Sequence, residues 1–189
     1  MPDNVRAPNT SKPRVIVDCD PGLDDAIALM LAARYCQPLG ITTVSGNVGL
    51  THTTRNALAI AELLDCDVPV HAGAERPLLV ESGHSGYIHG ETGLGATTLP
   101  APRKHPASAD AVRFIVDTAR REEGVWLLAL GPLTNIALAL RSAPDIVGRL
   151  AGISLMGGST SVGNVTPAAE FNIWADPEAA DMVFASGAR

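Results

Sequence analysis

The chain has no run of basic residues, no apolar stretch of membrane-spanning length, no C-x-x-C pair and no internal repeat. Each absence removes a class of function. With 14 Lys and Arg against 20 Asp and Glu, a net charge of −6 and a pI of 5.3, there is no electrostatic footprint for a nucleic-acid backbone. A membrane helix needs about 20 consecutive apolar residues, and no such run exists, so no membrane partner is expected. The cysteines are three, at 19, 36 and 66. An odd count without paired spacing reads as reduced thiols packed as small hydrophobes in a cytoplasmic protein. His52, His71 and His105 carry no metal-ligand spacing. Residues 1–13 are polar and contain proline but no apolar core of a signal peptide, so they read as a flexible tail ahead of one domain over 14–189.

What remains is an ordinary globular composition, 46% hydrophobic and 18% charged, in 189 residues, enough for one real core. Short β-branched runs alternate with helical periodicity. Strands are expected at 14–19, 39–45, 68–71, 125–130 and 153–156, and helices at 25–36, 50–64, 108–122, 134–140 and 176–186. That alternation predicts an α/β fold: a mainly parallel open sheet with helices on both faces. Two irregular stretches, 72–107 and 157–169, follow strands and are expected over the C-terminal edge of the sheet, where open α/β sheets bind ligands.

The stretch from Val15 to Leu31, VIVDCDPGLDDAIALML, organises the rest. A buried strand leads into Asp18, Asp20, Asp24 and Asp25, Pro21 and Gly22 break the run, and an apolar helix follows. A helix cap needs one carboxylate, and Asp24 or Asp25 is suited to that role. Four like charges within eight residues call for more, and a hard cation, Ca²⁺ or Mg²⁺, explains the surplus.

Later segments admit a structural and a functional reading each. Asn47 after Gly46 is turn chemistry or an amide aimed at a sugar hydroxyl. In Leu130-Gly131-Pro132-Leu133-Thr134-Asn135, Thr134 reads as a helix N-cap, while a carbonyl freed at the strand end is a possible hard-metal ligand. Met156 reads most simply as core. Glu170 and Asn172 are two apart, so in an extended chain both point to one side, which suits a polyhydroxylated ligand. Asp176-Pro177-Glu178 reads as a helix start. His84 and His89 read as solvated loop imidazoles.

The segment DCDPGLDDAIAL resembles the N-terminal signature of the inosine–uridine-type nucleoside hydrolases, and GNVTPAAEFNIWADPEAA resembles the family's second block almost word for word. The words VSGN and GPLTN fall between them in the family's order. The resemblance implies hydrolysis of the N-glycosidic bond of ribonucleosides to ribose and free base, in purine or pyrimidine salvage, with Ca²⁺ as cofactor and copies associating as a homo-oligomer. It makes Asp20 the base for a calcium-bound water and a metal ligand together with Asp25 and the backbone carbonyl of Leu130. It sets Asp24, Asn47, Met156, Asn164, Glu170 and Asn172 on the ribose, and His89 near the leaving base. Asp18, two before Asp20, is expected beside or behind the metal.

Members of that family are longer. Their C-terminal part supplies a last metal-ligating Asp and, in many, a His that helps the base depart, so this chain is expected to be a truncated product, a fragment or a degenerate member. A catalytically impaired or inactive nucleoside- or ribose-binding fragment is therefore one alternative. A remoter one is a Mg²⁺-dependent phosphatase of the haloacid-dehalogenase type, suggested by D-C-D after an apolar run; the Thr of D-x-D-x-T is Gly22 here, and no later G-D-x-x-x-D follows.

Overall fold

The computed structural model describes residues 12–189; most of the expected tail lies outside the described residues. Five strands, β1 (Arg14–Cys19), β2 (Gln37–Thr43), β3 (Val70–Ala72), β4 (Val125–Ala129) and β5 (Leu150–Leu155), form one all-parallel sheet in the order β3-β2-β1-β4-β5. β1 is central, and its RVIVDC sequence is buried on both faces, which is why it reads as an unbroken apolar run rather than an alternating one. Val15, Val17 and Cys19 face one layer and Ile16 faces the other.

Helices α1 (Leu23–Tyr35) and α2 (Leu50–Leu63) cover the first face through Leu29, Ala32, Ala57, Leu58, Ile60 and Ala61. The intervening one-turn α3 (Gly86–His89) is followed by α4 (Ala111–Arg121), and α5 (Thr134–Ser142) follows β4. Near the end of the chain come the short α6 (Phe171–Ala175) and α7 (Pro177–Ala185). α4, α5 and α7 cover the second face, with Ile115, Val116, Ile136, Ala137, Leu140, Ala180 and Val183 in its core. α4 comes so close to β2 that a Cβ at Gly40 would strike the Phe114 ring. The alternation and the fold class read from the sequence are the ones found.

Several local expectations are corrected. β2 starts two residues early, and its Pro38 is tolerated because β3 pairs only with residues 41–43. β3 and β5 are each shifted from their expected positions, and α1 begins at Leu23 rather than Asp25. The N-cap of α1 is Gly22, and Asp25 reaches back to accept from the Gly22 N–H at 3.2 Å. Thr134 is not an N-cap but the first residue of α5, its hydroxyl donating to Asp176 Oδ2 at 2.6 Å. The PAAEFNIW segment is not extended: Phe171–Ala175 is helical, with Glu170 as its N-cap accepting from the Asn172 and Ile173 N–H groups. The 72–107 stretch lies at the sheet's C-terminal edge from its start, where the Ser45 N–H donates to the Ala74 carbonyl, but does not stay there. Its end returns along β3, where the Ala107 N–H donates to the Val70 carbonyl and the Ala72 N–H to the Ser108 carbonyl. A 3₁₀ helix at Pro144–Arg149 was not expected.

Asp176 ties this architecture together. Fully buried, it caps α7 through the Ala179 N–H (3.1 Å), receives the Thr134 hydroxyl of α5 and accepts from the Leu78 N–H at 3.0 Å. Replacing it leaves three donors without their partner, two of them buried. Asp176→Ala is expected to cost about 3 kcal/mol and to lower the melting temperature by roughly 6–12 °C for a domain of this size, measured by thermal denaturation followed by circular dichroism.

Candidate functional site

β2 and β3 lie on one side of β1, and β4 and β5 on the other, so the chain reverses its direction of sheet growth between β1 and β4. In open α/β sheets that switch point is a crevice at the carboxyl ends of the strands. Asp20 sits just past β1, and Leu130 just past β4. A cavity of about 80 Å³ opens there, lined by Asp24 and Asp25 of α1, by Asn47, and by Ser85, Tyr87, Ile88 and His89 of the loop that carries α3. Leu130, Met156, Asn164, Val165, Glu170, Phe171 and Asn172 complete the wall.

The four carboxylates do not converge as one cluster. Asp18, wholly buried, accepts from the Thr42 hydroxyl (2.5 Å) and the Asn135 amide (2.8 Å), which anchors it between β2 and α5. The Asp24 side chain is 72% exposed at the rim, 4.0 Å from His89 Nδ1. Asp20 and Asp25 are the pair that matters. Asp20 Oδ2 accepts from the Asn47 N–H at 2.6 Å, and Asp25 Oδ2 accepts from the Gly22 N–H at 3.2 Å and the Asn47 amide at 3.4 Å. Asp20 Oδ1, Asp25 Oδ1 and Asp18 Oδ2 are buried and have no hydrogen-bond partner. Gly46 and Gly131 press on the Asp20 carboxylate, and a Cβ at either would collide with it.

Burial dominates the electrostatics. It raises Asp18 to about 6, against hydrogen bonds from Thr42 and Asn135 that lower it. It raises Asp25 to about 7, and it pushes Asp20 well above the ordinary carboxylate range, with the Asp25 charge adding to the effect. The Cys19 thiol is pushed up by burial and then by the charges of Asp25, Asp18 and Asp20, so it is a packing residue and no nucleophile.

The opposite wall is held by amides and backbone. The Asn172 amide donates to the carbonyls of Leu130 (2.8 Å) and Met156 (2.9 Å), joining the ends of β4 and β5. Glu170 Oε2 accepts from the Gly158 N–H at 3.0 Å as well as from its own helix. Asn164 Oδ1 accepts from the Phe171 N–H at 2.8 Å. Met156 is 48% exposed on the cavity, not core as its residue type suggests. His89 is no free loop imidazole: its ring nitrogen accepts from the Leu23 N–H at 3.3 Å, and the ring nitrogen of His84 lies 2.9 Å from the Gly46 carbonyl. The sequence reading missed Ser85, Asn135 and Thr42. Asn135 carried a signal, since it closes the Gly-Pro-Leu-Thr-Asn word. Ser85 carried none, because its partner Asn47 is 38 residues away.

The fold and the cavity together define an α/β protein with an acid-floored, amide-walled site at the sheet's switch point. The chain belongs to the inosine-uridine preferring nucleoside hydrolase family, whose family model matches residues 15–189. It is similar to an uncharacterised protein of Schizosaccharomyces pombe, 51% identical over 171 residues, covering 88% of this chain and 52% of that one. It is also similar to the pyrimidine-specific ribonucleoside hydrolase RihB of Escherichia coli, 46% identical over 179 residues, covering 93% of this chain and 57% of that one. Among solved structures, a purine-preferring ribonucleoside hydrolase from Gardnerella vaginalis superposes with a TM-score of 0.89 at 38% identity, covering 93% of this chain and 58% of that chain. A plant nucleoside hydrolase gives 0.88 at 37% identity, covering 93% and 57%. The chain thus spans about half the length of the curated relatives it matches. The family match leaves no place for the phosphatase alternative.

The raised carboxylates set a pH dependence. In the ion-free protein, Asp18 and Asp25 keep protons in the folded state that the unfolded chain releases near pH 4, so stability falls as pH rises from about 4 towards 7. In a chelator, the melting temperature is expected to be lower at pH 8 than at pH 5 by roughly 6 °C or more. Asp25→Asn is expected to flatten that slope in the same thermal scans.

Proposed function

We propose that this chain forms the calcium- and ribose-binding half of a nucleoside N-ribohydrolase site, in which Asp20 activates water for attack on the glycosidic carbon. The observation that carries the reading is the pair of buried, unpartnered oxygens, Asp20 Oδ1 and Asp25 Oδ1: Asp25 lines the switch-point cavity, and Asp20 is bonded to Asn47 in its wall. Two buried carboxylates with free lone pairs are a hard-cation donor set. Among the described residues no group of three His, Cys, Asp or Glu side chains comes together. Carbonyl oxygen, for which Leu130 at the strand end is the proposed donor, and water would therefore complete a shell that Asp20 and Asp25 begin. When bound, Ca²⁺ neutralises the carboxylate pair, holds a water and accepts the paired hydroxyls of a ribose.

The chain's own groups account for the rest. Ca²⁺ acidifies water far less than Zn²⁺ does, so a base is needed, and the Asp20 carboxylate is the proposed acceptor of the water's proton. Asp24 is placed at the rim to accept from a ribose hydroxyl, with Asn47, Asn164, Glu170 and Asn172 around the same cavity. A wall of carboxylates and amides also favours the positive charge that grows on the sugar ring as the base departs. His89 and the exposed Tyr87 and Ile88 stand where the base would lie. The three unpaired cysteines accord with a cytoplasmic setting.

The competing reading is a ribose-binding protein without turnover. Reducing-sugar release from inosine and uridine, with and without chelator, separates the two. The expected outcome is calcium-dependent release that Asp20→Asn abolishes, a loss of at least ~10³-fold, while isothermal titration still detects ribose. Sugar binding without release in the unmodified chain would favour the second reading. Absence of calcium binding would remove both.

A further inference from the structure

Asn47 touches both buried carboxylates, and one oxygen of each is left free. Its N–H takes Asp20 Oδ2, and its side-chain amide donates to Asp25 Oδ2 and to the Asp20 carbonyl at 3.1 Å. The unpartnered oxygens are the two Oδ1 atoms. What orients Asn47 is Ser85. Its hydroxyl donates to Asn47 Oδ1 at 2.7 Å, and its N–H donates to the Asn47 carbonyl at 3.1 Å. Ser85 is buried, at 3% exposure, and sits immediately before α3.

A carboxamide has a donor end and an acceptor end. Turned by 180°, the Asn47 amide would set its oxygen against the Asp20 carbonyl and Asp25 Oδ2, three acceptors in contact. By claiming the acceptor end, the Ser85 hydroxyl keeps the donor end on the carboxylates. We propose that Ser85 is a positioning residue that acts through Asn47 to fix the orientation of the Asp20 and Asp25 carboxylates, and so of their free oxygens, beside the cavity. The inference rests on the reading above that these two oxygens begin a cation shell. It also gives the loop at 84–89 a function at its base: the loop that overhangs the cavity is joined to the floor through the same serine.

The test is a double-mutant cycle read by calcium calorimetry on the full chain: unmodified, Ser85→Ala, Asn47→Ala and both together. Ser85→Ala is expected to weaken calcium about 10-fold, the usual scale for partners that orient metal ligands, and to add nothing in the Asn47→Ala background. Ser85→Cys, a weak donor of similar size, is expected to fall between, with melting temperatures as the folding control. In the ion-free protein, the Asn47 side-chain amide resonances, identified by their loss in Asn47→Ala, are expected to shift and exchange faster in Ser85→Ala. Unchanged calcium affinity in Ser85→Ala, or an equal loss with and without Asn47, would overturn the proposal. Should the unmodified chain bind no calcium, the functional reading fails by itself, and the amide resonances decide: left unmoved by Ser85→Ala, they overturn the role of Ser85 as well.

Discussion

Two acids taken out of water where β1 passes into α1 are the constraint to which the rest of this structure answers. Burying an unpaired carboxylate costs several kcal/mol even after relaxation, and Asp20 and Asp25 are both buried with one oxygen each left unpartnered. A stability-driven design would neutralise them with an Arg or replace them. Instead, among the described residues, the hydrogen bonds reaching them come from neutral N–H groups, those of Gly22 and Asn47. Neutral donors orient a carboxylate without cancelling its charge, which leaves the charge available to a cation.

The same economy explains the glycines around Asp20. Gly46 closes the β2 turn and Gly131 closes the β4 turn, and both lie against its carboxylate. Side chains there would push the acid out of the crevice or shield it. Asp18, one pleat earlier, is held differently: a threonine hydroxyl and an asparagine amide of α5 both donate to its Oδ1, while its Oδ2 is buried without a partner. Two acids of the same strand end, two residues apart, thus divide into one that fastens the sheet to α5 and one that is tied to Asn47 in the cavity wall.

The parallel sheet and the helix layers, though not the strand order, were legible because buried parallel strands in this chain are β-branched runs, and the helices between them are long enough to show a period. The acid pair was legible because four carboxylates in eight residues have no structural excuse. Short elements were not. α3 and α6, of four and five residues, have no period to detect, and α6 is capped by Glu170 rather than by a Ser, Thr, Asp or Asn that would announce it. That one hidden helix changes the meaning of Asn172, from a partner of Glu170 on an extended face to a brace between strand ends. Ser85 was illegible for another reason: its importance lies in a contact made across 38 residues by a loop with no pattern.

The brace at Asn172 also shows why the cavity has the shape it does. Parallel strands end with free carbonyls, and in this crevice those of Leu130 and Met156 are both taken by one amide nitrogen. A carbonyl oxygen has two lone pairs, so the Leu130 oxygen keeps one acceptor site while its direction is fixed by Asn172. On the other side of the crevice, Asn47 does the same for the carboxylates, holding one oxygen and leaving its twin. Both walls therefore follow one rule. An amide fixes an oxygen-bearing group through its donors and leaves that group's other lone pairs unclaimed. A site built this way is rich in acceptors, poor in side-chain cations and rigid at its floor, which is the chemistry that a hard cation and a polyhydroxylated sugar both require.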